Sequence, residues 1–199
     1  MNYYILGLLA TDGCCREYVR KDGITKTYNI SLEMADKQII EDVAKFLNRK
    51  VGYRERIIAN KLRRFWSVSI SSDKIYYKYL VENKKDFFGY FKGLSKKQQN
   101  EVIRGMIDGD GSVCIDTRGC LRICYGANTK DHLDIVFRYW CKLHEIDFSE
   151  YYDKRGKGYY NFQVYYKDRQ KFFDLVYRNS DICLIRKLNV FIANGYLTA

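Results

Sequence analysis

The 199-residue chain carries 35 Lys and Arg against 24 Asp and Glu, a formal net charge of +11. That excess points to an anionic partner; no stretch is apolar and long enough to span a bilayer, so nucleic acid is expected rather than membrane. A basic surface with no partner stays open on charge alone.

A chain this long buries roughly 70% of its extended surface, enough for a core without staples. The 19 Tyr and 11 Phe exclude a disordered basic tail and belong mostly in that core. Seven Cys, an odd number without a Cys-x-x-Cys pair, read as reduced and mostly buried thiols of an intracellular protein.

The opening run Ile5-Leu6-Gly7-Leu8-Leu9-Ala10-Thr11-Asp12-Gly13 reads as an apolar helix over residues 3–12 ending in an acid and a glycine. It resembles a signal-peptide core, but no basic region precedes it and Asp12 interrupts it, so export is not expected. Arg16 to Arg20 and Thr25 to Met34 follow as a hairpin around Asp22-Gly23. The second strand alternates, with Tyr28, Ile30, Leu32 and Met34 on one face and Thr27, Asn29, Ser31 and Glu33 on the other. An amphipathic helix from Asp36 to Leu47 precedes a second hairpin, Gly52 to Ile57 and Arg63 to Ser71, with Trp66, Val68 and Ile70 inward. A helix from Asp73 to Val81 closes this half, and Phe87 to Ser95, interrupted by Gly89 and Gly93, reads as the linker.

The pattern then repeats. Residues 96–110 form a helix ending in Ile103-Arg104-Gly105-Met106-Ile107-Asp108-Gly109-Asp110-Gly111, in register with the opening run. Strands at Ser112 to Asp116 and Arg118 to Tyr125 follow, then a helix from about Asp131 to Leu143. Further strands run from Phe148 to Asp153 and Tyr159 to Tyr166 around the Arg155-Gly156-Lys157-Gly158 turn, with a helical region from Asp168. The offset is 98 residues between Asp12 and Asp110 and 95 between Asp73 and Asp168, which small loop deletions account for. An internal repeat fixes the fold reading. The expected fold is α+β, with pseudo-twofold duplicated αββαββα units over residues 1–94 and 95–199. Two antiparallel sheets would form a saddle around two central parallel helices.

Gly7 and Thr11 lie four apart on one motif helix, and Gly105 and Gly109 four apart on the other. Small residues at that spacing let two backbones approach closely. Parallel packing would force Asp12 and Asp110 side by side at two helix C-termini, where carboxylates repel and the helix dipoles add negative potential. A hard cation such as Mg²⁺ relieves that cost and activates water for phosphodiester hydrolysis. A single copy would read better as a core helix with a turn; two copies in register reverse that judgement. Asp108 to Ser112 also resembles a calcium loop, but Val113 and Gly119 stand where that loop needs Gly and Glu. His132 and His144 are the only histidines, which argues against a multi-histidine metal nuclease.

The polar sheet faces supply candidate DNA contacts: Arg16, Arg20, Lys26, Asn29, Ser31, Arg54, Arg56, Arg63, Ser67 and Ser69 in the first half. The second offers Arg122, Lys154, Arg155, Lys157, Asn161 and Gln163.

The duplicated motifs, their spacing and the repeated element order resemble a LAGLIDADG homing endonuclease of the single-chain, two-motif type, over essentially the whole chain. The resemblance implies a site-specific double-strand DNA endonuclease acting on a long asymmetric target. It implies divalent metal, Mg²⁺ with Mn²⁺ as a substitute, held by Asp12, Asp110 and the backbone carbonyls of Thr11 and Gly109. It also implies a basic residue near the last helix; in Arg186-Lys187 the candidate is Lys187, with a solvated or phosphate-contacting lysine the alternative. Glu33 or Met34, and Asn128, stand where the family often has a polar residue at a strand end. Ala10 against Asp108 at the sixth motif position, and Arg104 at the second, depart from the pattern. An RNA-binding splicing maturase and a non-cutting DNA-binding regulator are the competing functions. Since one chain supplies both motifs, an intracellular monomer without an obligate protein partner is expected.

Overall fold

The computed structural model describes residues 1–19, 21, 23–24, 26–70, 87–127, 132–154 and 158–196, with backbone alone for 17 and 26–28. The expected helix from Asp73 and the candidates Arg20, Asn128, Arg155 and Lys157 lie outside the described residues, as does the side chain of Lys26.

Two helices form the centre. Helix α1 (Tyr3–Thr11) is apolar on all sides, and Tyr4, Ile5, Leu6, Leu8 and Leu9 are all buried. Such a helix belongs inside a protein rather than on its surface. Asn2 caps it, its side chain accepting from the Ile5 N–H. The second motif helix, Lys96–Asp110, starts at a capping box in which Ser95 and Gln98 satisfy each other's backbone N–H groups, a Ser-x-x-Gln signal plain in the sequence.

The two helices touch through their glycines. A Cβ on Gly105 would stand 2.1 Å from the Tyr4 carbonyl oxygen, and one on Gly7 would stand 2.1 Å from that of Val102. One on Gly109 would meet Thr11 Oγ1 at 2.0 Å. The contacts advance together along both helices, so the pair runs parallel, as expected.

Around this pair lie two four-stranded antiparallel sheets. β1 (Gly13–Val19), β2 (Lys26–Met34), β3 (Val51–Ile58) and β4 (Lys61–Ser69) take the order β1-β2-β4-β3. β5 (Gly111–Ile115), β6 (Leu121–Ala127), β7 (Phe148–Asp153) and β8 (Tyr159–Val164) repeat it as β5-β6-β8-β7. The registers correspond too: Gly13 pairs with Leu32 and Gly111 with Tyr125, each one residue past its motif acid. Ile30, Leu32, Met34 and Val68 point inward under α2 (Lys37–Leu47), whose buried side is Ile39, Ile40, Val43 and Ala44. In the second sheet Ile123, Tyr125, Phe162 and Val164 do the same, and Tyr125 and Phe162 meet Phe137 of the helix Leu133–Leu143. The β3–β4 hairpin turns at Ala59 and Asn60, both left-handed at φ 49° and 60°, the two-residue turn that matches strand twist.

Three expectations are corrected. Phe87 to Ser95 is not a plain linker: Phe87–Lys92 is a helix, numbered α3, with the motif helix Lys96–Asp110 as α4 and Leu133–Leu143 as α5. Phe87 and Phe91, four apart, fall on one helical side and bury, and Phe88 and Phe91 meet Tyr139 edge-on, which outweighs the cost of Gly89. The terminal helical region is two helices, α6 (Arg169–Val176) and α7 (Ile185–Ala193). The thiols are free but not mostly buried: Cys14, Cys114 and Cys120 are exposed, and only Cys141 and Cys183 are buried. Strand alternation explains this, since Cys14 and Cys114 share the solvent side with Arg16 and Arg122.

Candidate active site and nucleic-acid interface

Parallel packing brings both C-terminal ends of α1 and α4 to one place. Asp12 caps α1 and Asp110 ends α4. A Cβ on Gly109 would stand 3.0 Å from Asp12 Oδ2, so the carboxylate of one motif lies against the backbone of the other. The electrostatics record the approach. Burial, then the neighbouring Asp110, push the Asp12 carboxyl up to about 6, with Lys187 pulling the other way. Thr11 folds its hydroxyl back onto the Gly7 and Leu8 carbonyls and fills the space that Gly109 leaves open.

Lys187 enters from α7 and is 1% exposed, which rules out the solvated or phosphate-contacting reading. Its ammonium donates to the carbonyls of Ile107, Asp108 (3.0 Å) and Gly111 (2.7 Å). A helix end leaves carbonyls such as that of Asp108 without an intrahelical partner, and a cation there also answers the helix dipole. Burial brings the Lys187 ammonium down to about 8, while Asp108, Asp12 and Asp110 hold it up. Arg186 points elsewhere, to Asp36.

Two polar residues of the second motif, Asp108, where the first copy has Ala10, and Arg104, hold this arrangement. Asp108 is fully buried and accepts from the Tyr4 hydroxyl (2.9 Å), the Tyr177 hydroxyl (2.6 Å) and the Leu184 N–H (2.7 Å). Burial raises its carboxyl above the ordinary range even so. Arg104 donates from Nε to the Ile182 carbonyl and from a terminal nitrogen to that of Val176, with its guanidinium over the Tyr4 ring. Together they tie the turn between α6 and α7 onto α4, and so set where Lys187 enters. The sequence carried a signal in Arg104, a base at a small-residue position, and in an acid at 108 that the first copy lacks, but not the partners, which lie 69 to 104 residues away.

The site suits a hard divalent cation. Two carboxylates converge at the foot of two solvent-facing grooves, and the Gly109 carbonyl is not among those that Lys187 takes. Among the described residues no group of three or more His, Cys, Asp or Glu is assembled. Two protein carboxylates, with water and substrate phosphate completing the shell, is the pattern Mg²⁺ favours.

Beyond the carboxylates lie the outer sheet faces. A groove of about 380 Å³ is lined by Asp12, Cys14, Arg16, Tyr18, Asn29, Ser31, Glu33 and Arg54. Register puts Ser67, Ser69, Arg56 and Arg63 on the same face. In the second half Asp110 opens onto a groove with Gly126, Ala127 and Tyr159, and Arg122, Asn161 and Gln163 share that sheet's outer face. Lys154, just past β7, is exposed. Strand register places Glu33 beside Asp12 and Gly126 beside Asp110, so the two halves are unlike where they meet the carboxylates.

Residues 1–84 match the model of the LAGLIDADG-like domain. The homing endonuclease I-DmoI in complex with DNA and Ca superposes with a TM-score of 0.65 at 20% identity, covering 98% of this chain and 97% of that one. I-SmaMI, a LAGLIDADG homing endonuclease bound to cleaved DNA, gives 0.63 at 12% identity over 96% and 86%. I-DmoI with DNA and Mn gives 0.60 at 21% identity over 91% and 97%. This chain has the LAGLIDADG fold. No curated protein matches it in sequence. The two repeated runs lie at the parallel helix pair, and the first falls within the matched residues. No described helix is long and apolar enough to cross a membrane.

Proposed function

We propose that the protein is a site-specific double-strand DNA endonuclease, a homing endonuclease that hydrolyses one phosphodiester bond on each strand of a long asymmetric target. The observation that carries this reading is the juxtaposition of Asp12 and Asp110. Two carboxylates held together at an electrostatic cost are hard to account for unless a bound cation would offset their charge. The relatives' structures with DNA and with Ca or Mn support it.

Asp12, Asp110 and the Thr11 and Gly109 carbonyls would hold the metal. A divalent cation bound there supplies an activated water and neutralises charge on the leaving oxygen. Mg²⁺ is the expected ion and Mn²⁺ a substitute. Lys187 fixes the end of α4 through its carbonyl bonds and offsets part of the carboxylate charge, so that the pair is held in place without metal. The outer sheet faces bind the duplex. The chain acts inside the cell as a monomer, since one polypeptide brings both acids.

Incubation with a duplex target library in Mg²⁺ tests the proposal: double-strand products are expected, and Asp12→Asn combined with Asp110→Asn should abolish them while duplex binding persists. Binding without cutting by the native chain would favour the non-cutting regulator. Preference for structured intron RNA over duplex DNA would favour the maturase.

A further inference from the structure

On each outer sheet face the structure holds an arginine in place with a carboxylate. In the first half Glu33 takes both Arg54 and Arg56, the latter at 2.8 Å. The Arg56 guanidinium also lies over the Phe65 ring, 5.2 Å from its centroid. In the second half Asp116 accepts from Arg122 Nε at 3.0 Å. Asp116 is itself fixed, its other oxygen receiving the backbone N–H groups of Arg118 and Cys120, both at 2.9 Å.

These acids have a cost if the face only gathers phosphate. A carboxylate on a DNA-binding surface repels the backbone and cancels part of the charge that binds it. Their placement makes sense if direction matters more than charge. A free arginine gives up rotamer entropy on binding, and a guanidinium already clamped loses less of it. Arg56 spends one terminal nitrogen on Glu33 and Arg122 spends Nε on Asp116, so each retains further N–H donors in the plane of the fork. Side chains that reach from a sheet into the major groove in this way meet guanine O6 and N7, the pair of acceptors a guanidinium fits.

We propose that Arg56, held by Glu33 and Phe65, and Arg122, held by Asp116, each read a guanine in the major groove, one in each half of the target. The proposal rests on the DNA-binding part of the functional reading above and adds the base that each half selects.

The test uses the full chain, without divalent metal, and a pool of randomised duplexes whose bound fraction is sequenced. A guanine should be enriched at one or more positions in each half-site. Arg56→Lys and Arg122→Lys keep the charge and remove the fork. Each should bring the preference for guanine over the other bases from on the order of ten- to a hundred-fold down to near parity, in its own half alone. Glu33→Gln and Asp116→Asn should relax the same positions while overall affinity for the pool holds or rises. Retained guanine preference in the lysine variants overturns the proposal, as does a uniform loss of affinity with the consensus unchanged, which would make these arginines phosphate contacts. Failure of the native chain to enrich any sequence is a different result, which overturns the DNA-binding reading itself.

Discussion

At the scale of single residues, Asp12 carries a measurable penalty. Its folded carboxyl titrates at about 6, above the usual value of 3.8, because it is partly buried and faces Asp110. The folded state therefore holds the proton more tightly than the unfolded one between roughly pH 4 and 6, and stability contributed by this group falls as pH rises through that window. Asp12→Asn should thus be indistinguishable from the native chain near pH 4 and more stable at pH 7 without metal, by on the order of 1 kcal/mol. Urea midpoints at both pH values check this; an equal difference at the two would show that Asp12 pays no such cost. Lys187 gives the companion case. Lys187→Met leaves the Ile107, Asp108 and Gly111 carbonyls without their donor and the carboxylate pair without its counter-charge. Cleavage should fall by roughly 10²-fold or more, while affinity for the duplex stays within about threefold. Single-turnover cleavage alongside a binding titration separates the two.

At the scale of elements, the α1–α4 contact is the one on which the site depends. Alanine in place of glycine within a helix ordinarily gains up to about 1 kcal/mol. Here a methyl on Gly105 would lie 2.1 Å from the Tyr4 carbonyl and 2.7 Å from the Leu8 amide, so the two helices must part. Gly105→Ala should therefore destabilise by about 2–3 kcal/mol, the reverse of the propensity effect. Because the same helices carry Asp12 and Asp110, cutting should suffer in the variant even at temperatures where it stays folded. Thermal melting and cleavage at 15 °C below the variant's midpoint test the two statements.

At the scale of the whole molecule, the chain carries a net charge of +11, and arginines on two outer sheet faces flank one pair of carboxylates. Binding to a cognate duplex should weaken steeply with salt, each neutralised phosphate contributing a log–log slope of about −0.9. An affinity that barely moves between 50 and 200 mM salt would contradict that surface's role. Both carboxylates come from one chain, so sedimentation at micromolar concentration without DNA should give a single species near the 23.7 kDa of the chain.

How much of this could be read from the order of residues varies by element. The motif helices, the hairpins and their inward faces followed from local rules: apolar alternation at Ile30, Leu32 and Met34, the Ser95–Gln98 capping box, and glycines four apart. Duplication then placed Asp12 and Asp110 together before any coordinates, because a repeat tells where two distant residues must be equivalent. Other features were beyond such rules. The helix Phe87–Lys92 was hidden by its glycine and formed because Tyr139, far along the chain, offered Phe88 and Phe91 an aromatic edge. Lys187 was legible only as a basic residue at a familiar place, and its burial against three carbonyls follows from the anchoring of its segment by Asp108 and Arg104. The pairing of Glu33 with Arg54 and Arg56 needed the register of β2, β3 and β4, which a one-residue slip would have turned to the other face. By itself the sequence determined the repeat, the two acids and the alternation of the sheet faces, since each rests on spacing within a few residues or on identity between the copies. Only the tertiary structure decided which polar side chains are buried and which partner holds each of them, because those contacts join residues that sequence periodicity does not connect.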